Sequence, residues 1–147
     1  MRSTLLVLHI IAVGAWLGAS ITAVFLSTTA KSRGIAAWKE FISGFEEMDK
    51  RLFPAAGVAV AITGAGLVLE SSVYEFGHAF VLIGIVVVIT GIALGVGIFG
   101  PMARRITSGE TEEAGMDAVY RRFSAFGTLD IALLVVAISV MVVKAGV

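Results

Sequence analysis

The hydrophobic positions of this chain fall into four long runs, which short polar or charged segments separate. The runs predict helices at about residues 4–29, 52–70, 78–103 and 120–144. A bilayer hydrocarbon core of about 30 Å is crossed by roughly 20 helical residues, and each run is close to or above that length. The pattern therefore predicts an all-α fold: a single integral membrane domain built as a four-helix bundle.

The polar segment between the first and second runs has a helical pattern of its own. Over about residues 33–51, apolar residues recur at steps of three or four, and charged residues fill the opposite side. This pattern predicts a cytoplasmic amphipathic helix, with Trp38 suited to the membrane interface. We interpret it as a helix on the membrane surface or an extension of the second span. A surface that docks a partner is the alternative.

Composition supports a membrane protein and excludes other classes. Hydrophobic residues make up 58% of the 147 positions and charged residues 15%, whereas soluble domains average about 45–50% and about 25%. Eleven basic residues balance eleven acidic ones, so nucleic acid is not an expected partner. The chain has no cysteine, which excludes disulfides, thiolate metal sites and thiol nucleophiles.

The charges of the joining segments predict an orientation. Nine of the eleven lysines and arginines lie between the first and second runs, between the third and fourth, or in the first turn of the fourth. The segment between the second and third runs contains only acidic charges, Glu70 and Glu75. By the positive-inside rule, the two basic segments are cytoplasmic and both termini are outside. We therefore predict a multi-pass protein of the inner (plasma) membrane with an N-out/C-out topology.

His9 is the first candidate ligand for a cofactor or a metal ion. Trp16 and Ser20 continue its face of the first helix. Because lipid cannot satisfy polar side chains, this face is expected to point into the bundle. The alternative is a buried histidine that bonds a backbone carbonyl or a water molecule.

His78 is the second candidate ligand, at the start of the third helix and on the same outer side as His9. Two imidazoles on facing helices could bind a haem iron, or hold copper or zinc together with Glu70 or Glu75. The alternative is an interfacial histidine hydrogen-bonded to Glu75.

Three further polar residues lie within or at the end of the predicted spans. Asp130 is expected well inside the apolar region of the fourth helix, with Thr63 and Thr22 at similar depth on the second and first helices. A carboxyl group there must be neutral, hydrogen-bonded or paired. We interpret Asp130 as a proton-relay or quinone-contacting acid, or as a clasp that ties the fourth helix to the first two. Glu70 is interpreted as an interfacial acid.

Glycine is frequent, with 17 copies. Gly14 and Gly18 form one GxxxG pattern, and Gly91 and Gly95 form another. Small residues let helices approach closely in lipid. We interpret these glycines as packing positions within the bundle, with a homodimer contact as the alternative.

Short segments of the chain resemble known membrane families. The stretch LHIIAVGAWLGA, Leu8–Ala19, resembles the first helix of CopD-like copper-resistance proteins. The stretches Asp49–Leu69, Gly97–Ile106 and Leu129–Lys144 look like a related group of small bacterial membrane proteins, known as a domain of unknown function. The resemblance implies the four-helix membrane fold and a copper-handling or redox role.

A more distant resemblance is to the four-helix, haem-binding type of protoporphyrinogen oxidase. It is carried by His9, Trp16 and Gly18 in the first helix and by the final VVK, Val142–Lys144. In that family the histidine of the first helix is a haem ligand, so the resemblance implies that His9 binds haem b. The family's Leu-Pro-Arg and Asn-Glu-x-Pro-Thr stretches are missing here, so its oxidase activity is not implied.

Three functions follow from these observations. The first is a small membrane protein that binds haem b or a metal ion such as copper near the outer face, with a redox or copper-handling role. The second is an accessory subunit of a larger membrane complex without its own cofactor. The third is an oxidoreductase that acts on a porphyrin or a quinone. The chain carries no familiar catalytic motif, so a binding protein is expected before an enzyme.

Overall fold

The computed structural model describes residues 1–110 and 115–144, and nearly all of them are helical. Helix α1 spans Arg2–Ser32 and α2 spans Ile35–Leu69. Helix α3, Ala79–Leu94, continues through a π-helical turn, Gly95–Phe99, directly into α4, Gly100–Thr107, and α5 spans Met116–Lys144. Because α3, the π-helical turn and α4 form one continuous rod, four long helices pack as a bundle, as the hydrophobic runs predict.

The outer surface of the bundle is apolar. Each of the four long helices has the length and hydropathy needed to cross a membrane. Large apolar side chains point away from the bundle, including Phe25 at 68% exposed and Ile62 at 65% exposed. Soluble monomers rarely expose contiguous apolar surface on this scale. The surface suits lipid chains, in agreement with a small multi-pass membrane protein.

The structure corrects the prediction of a separate amphipathic helix over residues 33–51 and agrees with the interpretation of this segment as an extension of the second span. These residues form the first half of α2, which runs for 35 residues without interruption. At about 1.5 Å per residue, α2 is about 52 Å long, well beyond a hydrocarbon core of about 30 Å. The charged first half, which we call the α2 extension (residues 35–51), therefore projects past the membrane-crossing half.

Trp38 is also placed differently from the prediction. It is 2% exposed and lies in the core of the bundle, not at a lipid interface. Its ring packs edge-on against Tyr120 and Phe123 of α5 and stacks on Phe41. The apolar face of the α2 extension is thus covered by the chain's own α4 and α5. This explains why the segment continues along the bundle as part of α2 and does not lie on the membrane surface.

Two apolar clusters hold the helices together. The extension cluster joins the α2 extension to the π-helical turn, α4 and α5, and its centre is Trp38, Ile42, Phe45, Phe99 and Phe123. The span cluster lies further along the bundle and contains Ala12, Trp16, Ala56, Val60, Val87, Leu134 and Ala137. Polar side chains lie between and beside these clusters, and they define the candidate site.

Candidate functional site

A cavity of about 410 Å³ lies inside the bundle, where the two clusters meet. Every helical segment contributes to its wall. Most of the lining is aromatic, aliphatic or glycine, and the ionisable and hydroxyl side chains among it are Ser20, Asp49, Lys50, Arg104 and Asp130. An apolar cavity with a few polar groups is the usual form of a small-molecule site.

Asp130 forms the polar centre of the cavity. It is 7% exposed, and Ser20, 5% exposed, donates a hydrogen bond of 2.8 Å from its hydroxyl to Asp130 Oδ2. Trp16 is a second hydrogen-bonding neighbour of the carboxyl group. Because a carboxyl group buried in lipid-spanning helices needs such partners, this arrangement joins α5 firmly to α1.

Glycines create the space that Trp16 occupies. A Cβ at Gly91 would overlap the six-membered ring of Trp16, and a Cβ at Gly57 would lie 3.6 Å from the same ring. The indole therefore fills a slot between α2 and α3 that only these small residues leave open. This slot holds Trp16 against one wall of the cavity.

One side of the cavity opens between α2 and α3. Val58 on α2, Ile92 on α3 and Val96 in the π-helical turn all line the cavity. They are also 58%, 56% and 74% exposed on the outside of the bundle. Because these three residues lie in the apolar runs, this gap faces the lipid of the bilayer.

The opposite end of the cavity is charged. Asp49, Lys50 and Arg104 line it where the α2 extension meets α4. Lys50 pairs with Glu46 at 2.8 Å, and Thr107 donates a hydrogen bond of 3.0 Å to the same carboxylate. Asp49 and Lys50 precede the second apolar run and Arg104 follows the third, so this end lies at the boundary of the apolar region.

His9 is buried and its partner sets its tautomer. The Thr63 hydroxyl donates to the Ala59 carbonyl at 2.5 Å, so Thr63 Oγ1 accepts from His9 Nδ1 across 3.0 Å. The proton is then on Nδ1, and Nε2 carries the lone pair. The ring also packs against α2 at Gly64, where a Cβ would approach His9 Cε1 to 3.2 Å.

His78 has a different environment at the start of α3. The backbone N–H of Glu75 donates to His78 Nδ1 at 2.9 Å, so the Nδ1 lone pair is already in use. Its ring packs edge-on against Tyr74. The partner is the backbone of Glu75, the residue that the sequence alternative named.

The structure does not bring the candidate ligands into one centre. Within residues 1–110 and 115–144, no three histidine or carboxylate side chains are grouped as a metal site would require. Glu70 is exposed at the end of α2. The lining of the cavity between the clusters does not include His9 or His78, and neither does that of a second cavity between α4 and α5. Haem and metal binding at these histidines stay predictions.

Two cavity residues, Asp49 and Arg104, were not among the sequence candidates. The signal for Asp49 is present in the pattern, because it lies four residues after Phe45 on the face that also carries Ile42 and Trp38. A charged residue in phase with a buried face indicates a polar interior position. Arg104 has no such signal, since it lies in a basic cluster at a helix end.

The fold and the cavity define a class: a four-helix membrane bundle whose interior holds a mostly apolar cavity with a few polar groups. Comparison of the sequence with protein-family models, curated proteins and solved structures finds no match. The resemblances to CopD-like proteins and to the haem-binding oxidase therefore remain expectations from the sequence.

Proposed function

We propose that this protein binds a lipid-soluble small molecule of the quinone class in the cavity beside Asp130. The observation that carries the proposal is the combination of an acid–hydroxyl pair, Ser20–Asp130, with an opening between α2 and α3 toward lipid. A quinone has a flat ring that packs against aromatic side chains and carbonyl oxygens that accept hydrogen bonds. A protonated Asp130, whose Oδ2 accepts from Ser20, is a donor of the required kind.

The shape of the cavity supports this class of ligand. The ring of such a molecule fits among Trp16, Phe53 and Phe123, which line the cavity, and its apolar tail extends between Val58 and Ile92 into the bilayer. A water-soluble ligand has no need of an opening toward lipid. The proposal concerns binding, and it is compatible with a redox role of the protein.

Trp16 provides a direct test, because the chain has only two tryptophans and quinones quench indole fluorescence. In lipid nanodiscs, the Trp38→Phe variant leaves Trp16 as the sole emitter, and a short-chain benzoquinone should quench it saturably. The Trp16→Phe variant leaves Trp38, which does not line the cavity, and should show only weak, linear quenching. Asp130→Leu should weaken the saturable phase. Ser139→Ala, which changes a hydroxyl bonded to its own helix, should not.

Equal and linear quenching of both tryptophans would contradict the proposal, because it would show only partition of the quinone into the bilayer. In that case the accessory-subunit function becomes the leading one. Its test is co-purification of the tagged chain with a defined set of membrane proteins after mild solubilisation.

A haem- or metal-binding role through His9 is a second candidate, and one observation favours it. Thr63 orients the imidazole and leaves the Nε2 lone pair available, as outer-shell partners of ligating histidines do. The described side chains do not fit a haem as they stand, since His9 packs on Gly64 and borders neither cavity. The absorption spectrum of the purified protein tests this candidate: a Soret band that His9→Ala removes more completely than His78→Ala would support it.

A further inference from the structure

The charged end of the cavity contains a carboxylate, Asp49, that the proposed ligand does not need. Asp49 is half-buried on α2 and turns toward the π-helical turn. A Cβ at Gly95 would lie 3.4 Å from Asp49 Oδ1, and a Cβ at Gly100 would lie 3.2 Å from Asp49 Oδ2. Both positions are glycine, so the carboxylate fits into the space between α2 and the rod formed by α3 and α4.

The acidic neighbours of Asp49 are paired, whereas Asp49 is not. Glu46 binds Lys50 and Thr107, and Glu47 binds Arg51 at 3.2 Å. Across the described ranges, 1–110 and 115–144, Asp49 has no hydrogen bond or ion pair with another side chain. A half-buried carboxylate without a protein partner is satisfied by water or by a proton.

Three charged groups face Asp49. Arg104 approaches from α4, and Glu46 and Lys50 lie on its own helix. The two cations keep the aqueous end of the cavity from being strongly negative. At the inner end no charged side chain faces the carboxyl group among the residues described, because the neighbours of Asp130 are the neutral side chains of Ser20 and Trp16.

Asp49 and Asp130 line the same cavity. A volume of about 410 Å³ has room for about a dozen water molecules at roughly 30 Å³ each. An intramembrane carboxyl group that changes protonation needs such a connection to water, since lipid supplies no protons.

We propose that the charged end of this cavity is a proton access path, in which Asp49 receives protons from the aqueous side and water molecules pass them to Asp130. One proton enters for each Asp130 carboxylate that becomes neutral, and no electron is transferred. The path does not depend on the quinone-class ligand, which would enter through the lipid-facing gap. The same cavity thus has a polar route for protons and an apolar route for a ligand.

Hydrogen–deuterium exchange of the Asp130 carboxyl group tests the path. In nanodiscs, the infrared carbonyl band of protonated Asp130 is identified by its loss in Asp130→Asn. After a change from H2O to D2O, the shift of this band reports the rate of proton exchange. Asp49→Asn should slow the shift by at least about tenfold, since it removes a proton acceptor, whereas Asp49→Glu should keep it near the wild-type rate.

The matched control is Glu47→Gln, which removes a carboxylate of the same extension that is exposed and paired with Arg51. It should leave the exchange rate unchanged. Asp49→Ser replaces the same carboxyl group by a smaller side chain, and it is the second variant to measure if Asp49→Asn does not fold. Wild-type exchange rates in Asp49→Asn and Asp49→Ser would overturn the proposal, and so would the lack of any protonated Asp130 band at every pH tested. The exchange rates of the Asp49 variants do not bear on quinone quenching of Trp16, so the two proposals can fail separately.

Discussion

Two pairs of buried polar residues bond across helices, and α1 takes part in both. His9 bonds Thr63 of α2, and Ser20 bonds Asp130 of α5. The sequence predicts that the stripe of His9, Trp16 and Ser20 points inward, and the burial of all three confirms it. Such interhelical bonds are the main polar contribution to stability where lipid surrounds the helices.

The sequence did not assign the correct partners to these residues. It placed Asp130, Thr63 and Thr22 at similar depth and interpreted Asp130 as a clasp on both the first and second helices. In the structure Asp130 bonds α1 alone, Thr63 bonds His9, and Thr22 is exposed. Position along a run gives depth, whereas the rotation of each helix about its axis depends on packing against its neighbours.

The Ser20–Asp130 bond predicts unequal effects of two substitutions. Asp130→Asn keeps an oxygen that can accept from Ser20 and should retain nearly all of the wild-type stability. Asp130→Leu leaves Ser20 without its partner. Because transmembrane hydrogen bonds contribute about 0.6 kcal/mol on average and at most about 1.7, the loss should lie near the upper value. Thermal unfolding in detergent measures both, and a leucine variant as stable as the wild type would contradict the clasp.

Because Gly91 leaves room for Trp16, we expect the stability of the bundle to be sensitive to substitution of Gly91. Gly91→Ala places a methyl group in the volume of the indole, and overpacking of this kind costs about 1–3 kcal/mol. The control is Gly14→Ala, whose Cβ would meet nothing within 4 Å and should change stability by less than about 0.5 kcal/mol. Thermal unfolding of the two variants checks the difference.

The same control reports on the first GxxxG pattern. Gly14 and Gly18 face open space in the single chain, so they do not serve packing within the bundle as the sequence interpretation held. If Gly14→Ala lowers stability in a manner that depends on protein concentration, these glycines contact a second copy of the chain. A concentration-independent result near wild type would leave the single bundle as the relevant unit.

At the scale of elements, the main difference between prediction and structure is the length of α2. The sequence interpretation divided the helix at about Leu52, where charged residues give way to apolar ones. The buried face shows no such break: Trp38, Ile42 and Phe45 continue in phase to Val60 and Thr63. The change in composition marks where the helix leaves the hydrocarbon, and the unbroken period shows that it does not end there.

The position of Trp38 gives a prediction for the α2 extension. Trp38→Ala removes the residue at the centre of the extension cluster, and truncation of a buried aromatic residue costs about 3–5 kcal/mol. Lys39→Ala, one residue further on and exposed, is the matched control and should be neutral within about 0.5 kcal/mol. Chemical unfolding followed by circular dichroism compares them. A small effect of Trp38→Ala would favour the interfacial position that the sequence suggested.

At the scale of the whole molecule, the four spans and their order follow from the sequence, because an apolar run of about 20 residues is typical of a membrane-crossing helix. The cavity does not follow from it. It depends on how the helices pack against one another, and on a π-helical turn that shifts the phase of the third rod before α4. Such coincidences between helices leave no periodic signal in any one of them.

The orientation of the bundle in the membrane remains a prediction from its charges, and the chain is well suited to test it. Because the wild type has no cysteine, single cysteines at Ser72 and Ser108 can be labelled with an impermeant thiol reagent. The nine-to-two division of basic residues predicts labelling of Ser72→Cys from outside intact cells and of Ser108→Cys only after the membrane is opened. The reverse pattern would invert the topology.

The projection of α2 past the membrane gives the molecule two cores in different solvents. The Trp38 end of the extension cluster lies outside the second apolar run, where the surrounding solvent is water and the hydrophobic effect, which urea weakens, stabilises the packing. The span cluster is surrounded by lipid, where van der Waals packing and hydrogen bonds replace that force. Each cluster contains one of the two tryptophans, Trp38 in the first and Trp16 in the second. Urea should therefore change the emission of Trp38 before that of Trp16. A harsh detergent should change the emission of Trp16 first. The intrinsic fluorescence of the chain thus reports the unfolding of each cluster separately.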